Sequence, residues 1–104
     1  MKTTIKFTRF IKGEPSQEKE IRFYLSGDKH WFLNGQYHRE DGPSFIRWDG
    51  YKEWWLNGKL HREDGPACEW NDGPKEWYLE GKEYRYEKEY WEVLEKYKRE
   101  KNIK

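Results

Sequence analysis

The chain carries an internal repeat of 23 residues, and this repeat restricts its fold more than any other feature. The hexapeptide His-Arg-Glu-Asp-Gly-Pro occupies residues 38–43 and recurs unchanged at residues 61–66. The same offset carries Trp-Phe-Leu at 31–33 onto Trp-Trp-Leu at 54–56 and then onto Trp-Tyr-Leu at 77–79. A unit this short cannot bury an apolar face by itself, so the sequence predicts an array of stacked units.

Turn-forming residues divide each unit into two short strands. Asn34-Gly35, Asn57-Gly58 and Asp49-Gly50 are pairs that tolerate the positive φ angles of a two-residue type I′ hairpin turn. The Glu-Asp-Gly-Pro segments predict wider turns, because proline removes a donor from the strand ladder. Strand-length runs rich in aromatic residues lie between the turns, at residues 44–48, 51–56 and 75–79. The pattern predicts an antiparallel β-meander of hairpin repeats.

Alternation along each strand divides the Trp-aromatic-Leu blocks between two faces. We expect the first and third residues of each block to form the core: Trp31, Leu33, Trp54, Leu56, Trp77 and Leu79. The middle residues point the other way. Together with neighbouring side chains they predict an open binding surface, made of Tyr24, Phe32, Phe45, Arg47, Trp55, Trp70 and Tyr78.

The segments that flank the repeats are expected to cap them. Residues 1–27 are typical of a degenerate hairpin. From Tyr86 onward apolar residues recur at helical spacing, with acidic residues early and basic residues late, so an amphipathic helix is predicted over 86–101. The predicted fold is mainly β (α+β): one domain over 1–104, with repeat hairpins at 28–84 and the helix packed on the Trp and Leu face.

Composition supports a folded chain despite its polarity. Charged residues make up 39% of the chain, mean hydropathy is −1.42, and the net charge is only +1. The 20 aromatic residues can supply the burial that few aliphatic side chains provide. No apolar run reaches the ~18 residues of a membrane span and the start lacks a signal-peptide core, so we expect a cytoplasmic protein without membrane contact. The single Cys68 excludes an internal disulfide.

The blocks Trp-aromatic-Leu-Asn-Gly followed by His-Arg-Glu-Asp-Gly-Pro resemble MORN-like β-hairpin repeats of small phage, bacterial and giant-virus proteins. The resemblance covers roughly residues 21–84. It departs in the third unit, where Glu80 and Tyr84 replace Asn and His and the hexapeptide is lost. The resemblance implies a binding scaffold with no shared catalytic centre.

The repeated turns contain the side chains that could suggest chemistry, namely His38, Arg39, Glu40, Asp41, His61, Arg62, Glu63 and Asp64. Recurrence in register favours a structural role, because a repeat keeps whatever stacks its units. In that interpretation Asp caps its own turn, Arg pairs with a Glu of the next unit, and His lines a strand end. Cys68 and Ser44 lack a nucleophile motif, so no enzyme, metal or cofactor is expected.

These observations favour binding over catalysis. The expected partner is another protein. By analogy of size and family, a sharper hypothesis is an inhibitor of a bacterial defence system, such as a CRISPR-associated nuclease complex. Two alternatives stay open: binding of single-stranded nucleic acid through exposed aromatics and Arg or Lys, which the balanced charge disfavours, and self-association as a homodimer.

Overall fold

The computed structural model describes residues 2–9, 13 and 15–102. Within these residues no helix is both long and apolar enough to cross a membrane. The strands are β1 (Lys2–Arg9), β2 (Gln17–Tyr24), β3 (Lys29–Leu33), β4 (Gln36–Tyr37), β5 (Phe45–Ile46), β6 (Lys52–Glu53), β7 (Trp55–Leu56), β8 (Lys59–Leu60), β9 (Cys68–Glu69), β10 (Lys75–Leu79) and β11 (Lys82–Tyr84), and one helix follows, α1 (Glu87–Lys101).

The strands confirm the predicted fold class. Among the described residues a main sheet runs in the order β1-β2-β3-β5-β6-β9-β10-β11, with β4 paired to β3, while β7 and β8 form a separate pair. All of these pairings are antiparallel. The chain is therefore a β-meander closed by one helix.

In the second unit, Trp54 marks the point where the chain leaves the main sheet. The backbone N–H of Trp54 donates to Ala67 at 2.8 Å, on the side of the main sheet. Its carbonyl instead accepts the N–H of His61 at 3.0 Å, on the side of the return strand. Because the ladder changes partner at this residue, the predicted strand 51–56 is observed as two short strands, β6 and β7.

The Asn-Gly pairs form the predicted type I′ turns. Asn34 and Asn57 have φ of 49° and 50°, and the glycines after them have φ of 80° and 77°. Glu80 takes the same conformation in the third unit, with φ of 51°. Asparagine visits this region far more readily than most residues, so Glu80 holds a less favourable backbone than its two equivalents.

The prediction of a type I′ turn at Asp49-Gly50 is wrong. Of these two residues only Gly50 has a positive φ, at 94°. Its N–H donates to the carbonyl of Arg47 at 3.0 Å, and the N–H of Arg47 donates to Tyr51 at 2.8 Å. This is the pattern of a three-residue loop that ends in a left-handed glycine. The loop leaves Trp48 at its tip.

Successive units are joined by backbone hydrogen bonds that repeat with the sequence. Gly58 N–H donates to Tyr37 at 3.0 Å, and one unit later Gly81 N–H donates to Leu60 at 2.9 Å. Each hairpin thus rests on the return strand of the preceding unit.

The N-terminal hairpin continues the sheet at its other end. β1 and β2 pair from Lys2 opposite Tyr24 to Arg9 opposite Gln17. β2 then pairs with β3, and Asn34 and Glu18 exchange two further hydrogen bonds. β1 has no neighbour on its outer side among the described residues. It is the edge strand of the sheet.

Helix α1 begins one residue after the predicted start and packs on the predicted face, where it covers the third unit and touches residues 61–63 of the second. Its buried residues Tyr90 and Leu94 form the core cluster with Trp77, Leu79 and Tyr84. Acidic residues in the first turn and basic residues in the last turn complement the helix dipole. The Trp and Leu side chains of the first two units, at residues 31, 33, 54 and 56, are not part of this core cluster.

Candidate protein-binding surface

The aromatic residues predicted to form an open surface lie on the face of the sheet opposite α1. Trp77 and Leu79 pack under the helix, and alternation turns Tyr78 between them to the other side. On that side a continuous set of ring contacts links residues of five strands and two residues that lie next to strands. We call this set the aromatic face: Tyr24, His30, Phe32, Tyr37, Phe45, Tyr51, Trp55 and Trp70.

The rings of this face cover one another, so it is less open than expected. Phe32, predicted as a surface anchor, is only 9% exposed, because Arg22 lies 4.3 Å above its ring and Tyr37 packs 4.5 Å from it. Tyr51 is buried as well, between Phe45 and Trp70. The remaining predicted anchors are half-buried: Tyr24, Phe45, Arg47, Trp55, Trp70 and Tyr78. The sheet therefore buries much of this aromatic area itself.

His30 lies at the centre of the aromatic face and was not singled out from the sequence. Its ring is 4.6 Å from both Tyr24 and Phe45, and its Nδ1 shares a hydrogen bond with the Tyr37 hydroxyl at 3.2 Å. Its Nε2 is buried without a partner in the structure. Burial lowers the pKa of His30, because the charged imidazolium would lose hydration.

The histidines of the repeated turns connect each unit to the next. Residues 38–43 are loop 1 and residues 61–66 are loop 2. His38 Nδ1 accepts the backbone N–H of Asn57 at 2.9 Å, and His61 Nδ1 accepts that of Glu80 at 2.8 Å. Since Nδ1 is an acceptor, the ring proton lies on Nε2, which in His61 donates to Glu63 at 2.8 Å. Each histidine thus holds the type I′ turn of the following unit.

The arginines of the two loops cover the tryptophans of their own units. The Arg39 guanidinium lies 4.1 Å from the Trp31 ring, and that of Arg62 lies 3.7 Å from the Trp54 ring. Each also donates to an aspartate two residues later and to a proline carbonyl four residues later. A Cβ on Gly65 would stand 2.8 Å from the Arg62 guanidinium carbon. Glycine at this position therefore lets the arginine fold back against the loop, where a Cβ would force it to shift.

The expected pairing of these arginines with a Glu of the next unit is only partly present. Arg62 approaches Glu69 at 3.5 Å, whereas the main partner of each arginine is the Asp of its own loop at 2.8 Å. The position equivalent to Glu69 near Arg39 is Ile46, which cannot pair with a cation. The ion pairs therefore stabilise the conformation of each loop more than they connect successive units.

The Trp and Leu face has two open grooves and one filled position. Groove 1, of about 740 Å³, lies over Trp31 and Leu33 beside loop 1. Groove 2, of about 600 Å³, lies over Trp54 and Leu56 between loop 1 and loop 2. The space over Trp77 and Leu79 is occupied by α1.

The most exposed apolar side chains of the described residues lie at the tips of two neighbouring turns. Leu25 is 83% exposed and Trp48 is 70% exposed, and both occupy the same position in the 23-residue register. The turns touch: the N–H of Trp48 donates to Asp28 Oδ1 at 2.8 Å. We call Leu25 and Trp48 the turn-tip patch. The signal in the sequence was a large apolar residue two positions before a turn glycine, where no strand partner can cover it.

Four arginines that could serve as phosphate ligands are already paired with carboxylates. Arg22, Arg39, Arg47 and Arg62 each contact a carboxylate two positions away in the sequence. Nucleic-acid affinity depends on unneutralised positive charge. These four arginines therefore offer little unneutralised charge to a phosphate backbone.

Cys68 is a buried residue of β9. Burial raises the pKa of its thiol to about 12. The thiol is therefore protonated at neutral pH and is a poor nucleophile. The described residues contain no group of three or more His, Cys, Asp or Glu side chains arranged to hold a metal ion.

Searches of protein-family models, curated proteins and solved structures each found no match to the chain.

Proposed function

We propose that this protein is a non-catalytic protein-binding module that acts in the cytoplasm. The observation that carries the proposal is the turn-tip patch, where Trp48 and Leu25 are exposed on two turns that touch. A large exposed apolar pair of this kind is costly for a protein that has no use for it, and tryptophan is the residue type most enriched among the anchors of protein interfaces.

The turn-tip patch is presented on a fixed support. Asp28 holds the backbone of Trp48, and Arg47 makes a two-pronged ion pair with Asp49 at 2.8 and 2.7 Å. The Arg47 guanidinium also lies 4.7 Å from the Tyr51 ring. A preorganised anchor loses little conformational entropy on binding, so it can contribute most of its buried area to affinity.

The proposal is tested by affinity purification of the tagged full chain from bacterial cells, with quantitative mass spectrometry. A specific partner should be lost from Trp48→Ser and Leu25→Ser and retained by Tyr86→Ser, a matched control at another exposed aromatic. If the retained proteins are the same for all four chains, the turn-tip patch is not the binding surface.

The narrower form of the proposal is an inhibitor of a bacterial defence complex, and the resemblance to MORN-like repeats of small phage proteins is its support. Cells that carry a CRISPR-associated nuclease system would then lose protection against phage when the chain is expressed, and would keep it with Trp48→Ser. Unchanged phage plating with no defence component retained would reject this form and leave general protein binding standing.

Self-association is a second candidate, favoured by one observation. β1 is an eight-residue edge strand whose outer side has no described neighbour, and Ile5 on it is exposed. Such edges can pair with a second chain. Light scattering over a range of concentrations should then show a dimer that Thr4→Pro disrupts, since proline removes a ladder donor.

A further inference from the structure

Strand β1 is an open edge with the geometry that pairs with another strand. Its eight residues pair with β2 in one continuous register, from Lys2 opposite Tyr24 to Arg9 opposite Gln17, without a bulge. Every second residue of an edge strand turns its N–H and C=O away from the neighbouring strand. On β1 these groups have no partner strand among the described residues. The edge therefore offers a regular ladder of donors and acceptors along its length.

β1 lacks most of the devices by which edge strands avoid pairing. Natural edges are kept short, interrupted by a bulge or proline, covered by other elements, or charged with lysine. β1 is long, contains no proline, and has β-branched residues at Thr3, Thr4, Ile5 and Thr8, which favour an extended backbone. Ile5 is 45% exposed, so this part of the strand is not covered by the described residues. Charge is the device that remains, and it decides which strand can pair here.

The charges of β1 all have one sign. The strand contains two lysines and one arginine, and its sequence has no aspartate or glutamate. Lys2 and Lys6 are exposed and lie four positions apart, so alternation places them on the same face of the sheet. Lys6 lies opposite Glu20, but Arg22 already engages both oxygens of that carboxylate, at 2.5 and 3.3 Å. Because Glu20 also pairs with Phe32, the two lysines border the aromatic face.

The pKa of Glu20 agrees with this placement. The hydrogen bond from Arg22 is the main cause that lowers this pKa, and the charges of Lys6 and Lys2 add to the effect, while burial opposes it. Glu18, the other carboxylate of β2, lies two residues further from the Lys2 end of the hairpin. The positive charge of the edge is therefore concentrated at residues 2–6.

A second copy of β1 is a poor occupant of this edge. Pairing of two such strands would bring the lysines of both chains into one ribbon, and neither strand has a carboxylate to offset them. Like charges on opposed residues destabilise a sheet. The other edge of the main sheet, β11, has only three residues and carries one lysine and one glutamate, so it does not supply the missing negative charge. The observations favour a strand from a different chain.

We propose that β1 binds an extended acidic segment of a partner protein, which adds to the sheet as a further strand. The segment carries two carboxylates four positions apart, and these pair with Lys2 and Lys6 at the border of the aromatic face. The backbone ladder supplies affinity, and the two lysines select the sequence. This site shares no residue with the turn-tip patch. It uses the edge considered above for self-association, with a different occupant.

The experiment uses the isotope-labelled full chain and a blocked peptide of threonine and valine that carries two glutamates four positions apart. The peptide should bind saturably at low salt and protect every second amide of residues 2–9 from hydrogen exchange, because those amides gain a ladder partner. A peptide of the same composition with its glutamates three positions apart places them on opposite faces. It should bind about threefold more weakly, since one ion pair is lost.

Lys6→Gln should weaken the first peptide by about threefold at low salt, as expected for one exposed ion pair. Lys6 is exposed and glutamine keeps most of its length, so the hairpin should stay folded, and the amide spectrum without peptide checks this. Lys82→Gln, on the opposite edge strand, is the matched charge control and should leave the affinity unchanged.

The proposal is overturned if the peptide does not bind, if it binds without protecting the amides of β1, or if neither the glutamate spacing nor Lys6→Gln changes its affinity. A single-stranded oligonucleotide that binds the two lysines more tightly than the peptide would also overturn it. So would a dimer in light scattering that Lys6→Gln strengthens, because the occupant is then a second copy.

Failure here leaves the first proposal intact, because Trp48→Ser alters a different set of residues. A partner that is retained by Lys6→Gln and lost from Trp48→Ser binds the turn-tip patch alone. The two sites can therefore be tested independently in the same purification.

Discussion

The first two repeat units cover their tryptophan with an arginine, whereas the third unit covers it with a helix. Arg39 and Arg62 lie on Trp31 and Trp54, while Trp77 contacts Tyr90 at 4.9 Å and Trp91 at 5.9 Å. A half-buried ring at the point where each strand changes partner needs a cover, and the chain supplies it in two ways. All three tryptophans are thus covered, and only the chemistry of the covering group differs.

The change of cover coincides with differences in the sequence of the third unit. In the third unit Arg85 keeps the register of Arg39 and Arg62, but Lys88 stands where Gly65 stands in loop 2. In loop 2, a side chain at that position would displace the folded-back arginine. Arg85 lies out in solvent near Tyr86, and the freed tryptophan receives α1.

The largest effect is expected when the helical cover is weakened. Leu94→Ala should lower the free energy of unfolding by about 3 kcal/mol, because it removes a fully packed side chain and leaves a cavity. Urea denaturation measures this value. The exposed neighbour Glu95 is the control, since Glu95→Ala should change stability by no more than about 0.5 kcal/mol.

The arginine that covers Trp54 should contribute less to the free energy of unfolding than the helix does. Arg62→Ala should cost about 2 kcal/mol, because it removes the stacking on Trp54 and two hydrogen bonds within loop 2. Arg62→Lys should recover less than half of this, since lysine lacks the planar fork. Arg85→Ala is the matched control in the third unit and should be nearly neutral. Equal losses at Arg62 and Arg85 would show that the stacking has no role in stability.

The units should also differ in their response to acid, because the first unit has His30 where the others have Glu53 and Glu76. The pKa of His30 is lowered in the folded protein, so the unfolded chain binds the proton first. The stabilisation that neutral His30 contributes is fully present above pH 6.5, and it is lost as the pH falls through the pKa of His30 in the folded protein. Thermal unfolding between pH 7.5 and 5 should show a larger decline in melting temperature for the natural chain than for His30→Phe. Parallel curves would contradict this.

The smallest effect concerns the turn that joins the third unit to its helix. Glu80 occupies a left-handed position that asparagine holds in the first two units, and its carboxylate accepts from Tyr97. In a Tyr97→Phe background, Glu80→Asn should stabilise the protein by about 0.5 kcal/mol. In the natural background the lost hydrogen bond should offset this gain. A double-mutant cycle by urea denaturation separates the two terms, and the same gain in both backgrounds would show that the bond contributes nothing.

The repeat made the fold predictable because period, turn residues and strand length all agreed on a meander. The helix, its boundaries within one residue and the division of the strands into two faces also followed from the sequence. The arrangement of arginine on tryptophan did not, since it depends on how loop 1 and loop 2 fold back over their own units. The burial of Phe32 depends in turn on Arg22 and Tyr37, which belong to other strands.

The turn-tip patch was missed for a different reason. An aromatic residue within an aromatic run suggests a strand, and Trp48 was placed at the end of the predicted run 44–48. Of the two predicted turn residues, only Gly50 is left-handed. The observed loop therefore has three residues where two were predicted, and Trp48 lies at its tip. One error in turn type was enough to hide the most exposed tryptophan of the described residues.

The hydrogen bond from each loop histidine to the next type I′ turn also has a consequence for growth of the molecule by duplication. The bond and its neighbours recur with the sequence, so a further copy of 23 residues inserted after loop 1 would find the same partners on both sides. Two more strands would lengthen the sheet by about 10 Å and leave α1 in its place. Tandem duplication can thus change the number of units in a single step.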